Sequence, residues 1–302
     1  MAGQADSLKS ILFALFANTS IAIAKGIAAA ITGSGAMLAE AIHSVADAGN
    51  QLLLILGLKQ TKRRPTPDHP LGFGKSIYFW SFLVAVILFS VGGMFSMYEG
   101  VHKLLHPEPL SHPWIAIGVL VFAIVAEGIS LWGCLREVNK ERYGRNLLQW
   151  FRQSRSSALI VVFGEDIAAL FGLVFALVAI VVTYLTGNPF WDAIGTISIG
   201  VLLIVVAFFI AVEVKQLLIG QSVDQRTLKE MRQFLEGRAE IQAVFNVLTL
   251  QFGPDAMVAI KAKMIPTGSE TGMLQTINKV ESEFKTRFPS TTWLFFEPDY
   301  KD

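Results

Sequence analysis

Six long apolar stretches limit the folds that this chain can adopt. Spanning about 30 Å of hydrocarbon takes roughly 20 apolar residues in a helix, and each stretch reaches that length. Inside lipid every backbone polar group must be bonded within the chain, which favours helices. We therefore predict an α-helical membrane protein with six transmembrane helices. They cover residues 11–31, 36–58, 77–101, 114–135, 157–185 and 190–218.

The composition agrees with a lipid environment and excludes several classes of function. Of the 302 residues, 53% are hydrophobic and only 16% are charged, which is far from the balance of a soluble domain. The net charge of +1 gives no general attraction to nucleic acid, so no nucleic-acid partner is expected. The single cysteine, Cys134, excludes an internal disulfide and a thiolate-rich metal cage. A metal site must therefore use nitrogen and oxygen donors, and no bound cofactor is expected.

The distribution of basic residues predicts the side of the membrane on which each end lies. Five basic residues lie in 59–75 and six in 136–155, whereas the short connections 32–35 and 186–189 carry none. Loops rich in Lys and Arg stay on the cytoplasmic side, so we expect both termini to be cytoplasmic. No arginine- and serine-rich presequence precedes the first stretch, and we expect the inner (cytoplasmic) membrane of a bacterium.

The composition changes after Leu218, where a domain of soluble character is predicted. Apolar residues recur at helical spacing before Gly237, and alternation with lysines marks a half-buried strand at 258–264. The further predicted elements are strands at 244–252 and 292–297 and a helix at 272–288. This order predicts a small α+β domain whose helices cover one sheet face. We expect a transmembrane transport domain at 1–218 and a cytoplasmic domain at 219–302.

Polar side chains concentrate on one side of the second apolar stretch. Glu40, His43, Asp47 and Asn50 follow one another at i, i+3, i+7 and i+10, so they share one helix face. Ionisable groups in a spanning helix are costly unless they line water, a partner or a substrate. The imidazole of His43 and the carboxylate of Asp47 offer nitrogen and oxygen to one cation. That mixture suits zinc and tolerates manganese, iron or cobalt.

The fifth stretch supplies two adjacent carboxylates, Glu165 and Asp166, within an otherwise apolar run. We expect Asp166 to ligate the metal, and Glu165 to ligate it, to bind protons or to orient a partner. Several carboxylates beside one imidazole repel one another without a metal, so protons would offset the missing charge. Exchange of a divalent cation for protons follows from this arrangement.

Other polar groups carry weaker expectations. A capping or packing role is favoured for Glu40, with ligation as the alternative. Asp68 and His69 are further candidates for binding a cytoplasmic ion, although a proline-rich connector is favoured there. Lys25 is expected to form hydrogen bonds between helices. Glu127 stands alone on its helix and is given a structural role.

Four segments of the chain resemble the cation diffusion facilitator family. The resemblance implies six helices with both ends inside, a ferredoxin-like cytoplasmic dimerisation domain, a homodimer, and export of zinc or a similar cation against protons. The segments are TGSGAMLAEAIHSVAD at 32–47, DHPLGFGK at 68–75, WDAIG at 191–195 and GPD at 253–255.

The sequence departs from the family pattern in one helix. Family members commonly have a histidine or aspartate four residues before the aspartate of the fifth helix, and here that position is Val162. The resemblance implies that Glu165 or Asn50 replaces the missing ligand. The pair Glu165 and Asp166, together with the ending FFEPD at 295–299, is similar to the zinc transporter nine type of the family. Residues 219–302 contain no histidine, so no histidine-based zinc cluster is expected there.

The function that these patterns favour is efflux of a divalent cation, zinc first, by proton antiport. One alternative is a transporter for manganese, iron or cobalt. Another is a metal sensor or scaffold that transports nothing. No His-Glu-x-x-His helix or comparable catalytic set occurs, so we do not expect an enzyme.

Overall fold

The structure, a computed structural model, describes residues 18–301. Helix α1 covers residues 18–32, and the first part of the predicted first span, residues 11–17, lies outside the described residues. Five described helices are long and apolar enough to cross a membrane. The second to sixth predicted spans all lie within them, so these predictions are confirmed.

The membrane part consists of α1 and eight further helical segments, seven of them α-helical. They are α2 (Gly35–Thr61), α3 (Ser76–Ile87), a π-helix (Leu88–Met94), α4 (Phe95–Leu105), α5 (Pro113–Arg142), α6 (Leu147–Gln153), α7 (Ser157–Thr186) and α8 (Phe190–Ile219). The third predicted span is thus one continuous helix whose middle turns are π-helical. The short helix α6 lies in a basic segment for which no helix was predicted. Asn146 and Gln149 cap its start reciprocally, which satisfies its first backbone amides.

The start of α2 is fixed by side chains from two places in the chain. Ser34 caps the helix, because its Oγ accepts a hydrogen bond from the Met37 amide at 3.2 Å. Asp192, in the first turn of α8, accepts from Ser34 Oγ at 2.5 Å and from the Gly35 amide at 2.8 Å. These bonds join α2 to α8 at one end of the membrane part. α2 also packs against α3 and α7, and α7 packs against α5 and α8.

The C-terminal domain has the predicted order of helix, strand, strand, helix and strand. Its elements are α9 (Gln225–Glu236), β1 (Ile241–Phe252), β2 (Asp255–Met264), α10 (Glu270–Arg287) and β3 (Thr291–Pro298). The strands form one sheet in the order β1-β2-β3, with β1 and β2 antiparallel and β2 and β3 parallel. Val258, Ile260 and Ala262 are buried against Met231 and Phe284, so the alternation predicted the sheet face that the helices cover.

Candidate metal site

The imidazole of His43 is fully buried and close to Asp47, one turn further along α2. His43 Nε2 lies 3.4 Å from Asp47 Oδ2. Neither ring nitrogen has a hydrogen-bond partner, and neither has Asp47 Oδ1. Buried polar groups in proteins are normally bonded. One nitrogen of the neutral imidazole and Asp47 Oδ1 therefore have lone pairs that are free to bind a metal ion. The structure therefore brings the two residues together as the helical spacing predicted.

The carboxylates of α7 face the same region from across the helix interface. Asn50 Nδ2 of α2 donates a hydrogen bond of 2.6 Å to Glu165 Oε1. Ser130 Oγ of α5 donates to Asp166 Oδ1 at 3.4 Å, whereas the buried Asp166 Oδ2 has no hydrogen-bond partner. Glu165 is thus partly satisfied by Asn50, while Asp166 retains an oxygen that can bind a cation.

A small cavity of about 20 Å³ lies between α1, α2, α5 and α7, and four of its seven polar lining residues are acidic. This volume is enough for one water molecule or ion. The cavity is lined by Asn18, Ser44, Asp47, Gln51, Glu127, Val162, Glu165, Asp166 and Ala169. Within residues 18–301, no three His, Cys, Asp or Glu side chains are close enough to hold one metal ion. A metal at this place would have to draw the helices or their side chains together.

Comparison with known proteins decides the family. The protein family described as "cation efflux transmembrane domain" matches residues 11–219, which is more than half of the chain. This chain belongs to the cation diffusion facilitator, or cation efflux, family.

Several similar proteins carry names that refer to zinc or to metals. The chain is 35% identical over 247 residues to the proton-coupled zinc antiporter SLC30A9, mitochondrial, of Xenopus laevis, covering 81% of this chain and 44% of that one. It is 31% identical over 225 residues to metal tolerance protein C4 of Arabidopsis thaliana, covering 74% and 49%. It is 23% identical over 275 residues to zinc transporter ZitB of Yersinia pestis, covering 91% and 83%. The chain spans less than half the length of the first two relatives.

The departure from the cation diffusion facilitator pattern lies in the cavity itself. Val162 and Asp166 both line the cavity, and they lie one turn apart on α7. An isopropyl group offers no donor to a metal, so α7 contributes carboxylates alone. The resemblance placed the missing ligand on Glu165 or Asn50, and the structure pairs these two with each other.

Sequence reasoning gave Glu127 of α5 a structural role, yet its carboxylate lines the cavity beside Asp47 and Asp166. The signal that could have found it is a carboxylate in the middle of a spanning helix, with Ser130 one turn further along the same helix. The face of α5 that meets α7 depends on how the helices pack. A single sequence does not give that face.

The remaining candidates lie outside this cavity lining. Glu40 is fully buried, and the ammonium of Lys25 lies 3.2 Å from its Oε2, whereas its Oε1 has no hydrogen-bond partner. The packing role and the alternative of ligation both stay predictions. The predicted interhelical bond of Lys25 is confirmed. Asp68 and His69 are exposed, and His69 closes a turn with Thr66 through backbone hydrogen bonds. Ion binding by Asp68 or His69 stays a prediction.

Proposed function

We propose that this protein exports a divalent metal cation, zinc first, across a membrane in exchange for protons. The cation would bind at the cavity between α1, α2, α5 and α7, with His43, Asp47 and Asp166 as ligands and Glu165 as a ligand or proton carrier. The names of the relatives, which include a proton-coupled zinc antiporter and a zinc transporter, support the choice of zinc and protons.

The observation that carries the proposal is the set of buried polar atoms without partners. His43 Nδ1 and Nε2, Asp47 Oδ1 and Asp166 Oδ2 all lack a hydrogen bond. Ionised carboxylates within a membrane cost several kcal/mol each, on the order of 3. A divalent cation would lower that cost while it is bound, and protons would lower it after release. Alternation between the two occupants is an exchange of metal for protons.

The basic loops and the resemblance to the family support the remaining features of the proposal. Both termini would be cytoplasmic, because the segments 59–75 and 136–155 carry eleven basic residues and loops rich in Lys and Arg stay on the cytoplasmic side. Residues 1–218 would form the transport domain, and residues 219–302 would form the dimerisation domain of a homodimer. The inner membrane of a bacterium is the proposed location. Efflux then means movement of metal out of the cytoplasm.

The test uses purified protein in liposomes that contain a pH-sensitive dye. A zinc gradient should drive proton flux through the wild type, and His43→Ala and Asp47→Ala should each abolish it, because each removes a metal donor. Glu137→Ala is the matched control. It removes a carboxylate from α5 that is 58% exposed and paired with Lys140, so its flux should equal that of the wild type. Undiminished flux in both site variants would contradict the proposal.

The same assay separates the alternative functions. The site offers mainly oxygen donors, which also suit manganese, so manganese, iron and cobalt are tested as competitors of zinc. A wild type that binds zinc but gives no flux with any of these metals would favour the sensor or scaffold.

A further inference from the structure

We infer that Glu127 of α5 is a further substrate ligand, and that it sets the metal preference of the site. This inference rests on the proposed function and deepens it. It concerns which helices supply the donors and what kind of donor each one is.

The charged and nitrogen donors of α2 and α7 leave one coordination position of the metal ion unfilled. A small divalent cation such as Zn²⁺ takes about four ligands. α2 supplies His43 and Asp47, and α7 supplies Asp166, whose Oδ2 has no partner. Glu165 Oε1 already accepts the short hydrogen bond from Asn50. The other α7 side chains in the cavity wall, Val162 and Ala169, are aliphatic. The remaining polar side chains of α1 and α2 in the described lining, Asn18, Ser44 and Gln51, are neutral, so a fourth charged donor has to come from another helix.

Glu127 is the carboxylate that α5 presents to this cavity. It lines the cavity beside Asp47, Glu165 and Asp166. Ser130, one turn further along α5, donates to Asp166 and so holds α5 against α7 at this level. The side chain of Glu127 is half-buried. A carboxylate at this depth is costly unless it lines water, a partner or a substrate.

His43 gives the second, independent indication of a ligand. Its side chain is fully buried, both ring nitrogens lack a partner, and its Nε2 points toward Asp47, which forms part of the cavity wall. A set of His43, Asp47, Asp166 and Glu127 would have one nitrogen and three carboxylates. Imidazole suits zinc, whereas carboxylates suit manganese. Glu127 therefore widens the preference of the site from zinc toward manganese.

The experiment compares zinc and manganese flux in the liposome assay for the wild type, Glu127→Gln and Glu137→Gln. Glutamine keeps the shape of the side chain and removes the charge. Glu127→Gln should raise KM for zinc at least about tenfold, because even outer-shell groups of a metal site cost 10- to 100-fold. KM for manganese should rise further. The control Glu137→Gln removes an exposed carboxylate from the same helix and should leave both values unchanged.

A second substitution tests whether Glu127→Gln acts by removing a metal ligand. Val162→His, added to Glu127→Gln, returns a nitrogen donor to the same cavity wall. It should restore part of the zinc transport without restoring manganese transport. A purely structural role of Glu127 does not predict that metal-specific recovery.

The outcomes distinguish this inference from the function on which it rests. Absence of metal flux in the wild type would overturn the proposed function itself. Wild-type flux together with unchanged KM values for both metals in Glu127→Gln would overturn only the role of Glu127. If Glu127→Gln does not fold, Glu127→Asp keeps the charge but shortens its reach. A wild-type ratio of zinc to manganese transport in Glu127→Asp would then overturn the inference.

Discussion

The buried pair of Lys25 and Glu40 lies beside the cavity. Lys25 Nζ lies 3.2 Å from Glu40 Oε2 and donates to Ser44 Oγ at 2.7 Å, and both charged side chains are fully buried. Ser44 also lines the cavity. Lys25 thus adds one positive charge beside a cavity whose lining holds four carboxylates, those of Asp47, Glu127, Glu165 and Asp166. The site therefore retains an excess of acidic groups, which favours cations.

Lys25→Met should strongly destabilise the protein. It removes one member of a buried ion pair and leaves Glu40 as an uncompensated charge, which costs about 3–5 kcal/mol. Thermal unfolding of the purified protein in detergent measures the loss. The double variant Lys25→Met with Glu40→Gln should recover most of it, since no unpaired charge remains. Lys140→Met, in an exposed pair with Glu137, is the control. A Lys25→Met variant as stable as this control would contradict the interpretation.

Half of the candidate site could be predicted at the scale of single residues. The spacing of His43 and Asp47 within one helix fixes their proximity, because helical geometry alone brings i and i+4 together. The presence of Glu127 in the cavity lining could not be predicted. Its place in the cavity depends on the rotation of α5 against α7, which the packing of whole helix faces decides.

At the scale of elements, glycines allow the third span to approach α8 closely. A Cβ atom on Gly200 of α8 would lie 2.8 Å from the Met97 amide nitrogen and 3.0 Å from the Gly93 carbonyl oxygen. Both atoms belong to backbone that cannot move aside. Gly93 lies in the π-helix, next to Gly92, which in turn lies near His43. The close contact thus supports the backbone that packs behind the candidate site.

Gly200→Ala should destabilise the protein by about 1–3 kcal/mol, the usual cost of overpacking a tight interface. Zinc flux should fall as well, because separation of the helices would shift the backbone beside His43. The matched control is Gly118→Ala on α5, where an added Cβ meets nothing within 4 Å. Alanine favours a helix over glycine, so this control should lose no stability. Equal melting temperatures for the two variants would contradict the packing argument.

The elements themselves were largely predictable, with instructive exceptions. Five spans and the order of the C-terminal domain follow from apolar length and periodicity. The π-helix Leu88–Met94 was not predicted, because its apolar residues read like any other turn of a spanning helix. The strand β1 begins at Ile241, three residues before the predicted start. Irregular pairing with β2 at that end weakens the alternation on which the prediction depended.

At the scale of the whole molecule, the turn between β1 and β2 docks against the membrane helices. The Gly253 amide donates a hydrogen bond of 2.9 Å to Tyr78 Oη, near the start of α3. Lys75 lies over the Phe252 ring, 5.4 Å from its centroid. Arg155, just before α7, donates from Nε to the Ser222 carbonyl oxygen at 2.7 Å. Residues 219–302 therefore contact α3, which continues into the π-helix, and the segment just before α7, the helix that carries Glu165 and Asp166.

Tyr78→Phe should loosen this docking without unfolding either part. The ring of Tyr78 is fully buried and remains in place, while the Gly253 amide loses its acceptor. A net loss of about 0.5–1.5 kcal/mol should speed hydrogen exchange at Gly253 roughly two- to tenfold, as measured by mass spectrometry of the β1–β2 turn. Tyr300→Phe is the control, because Tyr300 is 75% exposed and lies outside the contact. Equal exchange in the two variants would show that the hydroxyl of Tyr78 does not hold the C-terminal domain against α3.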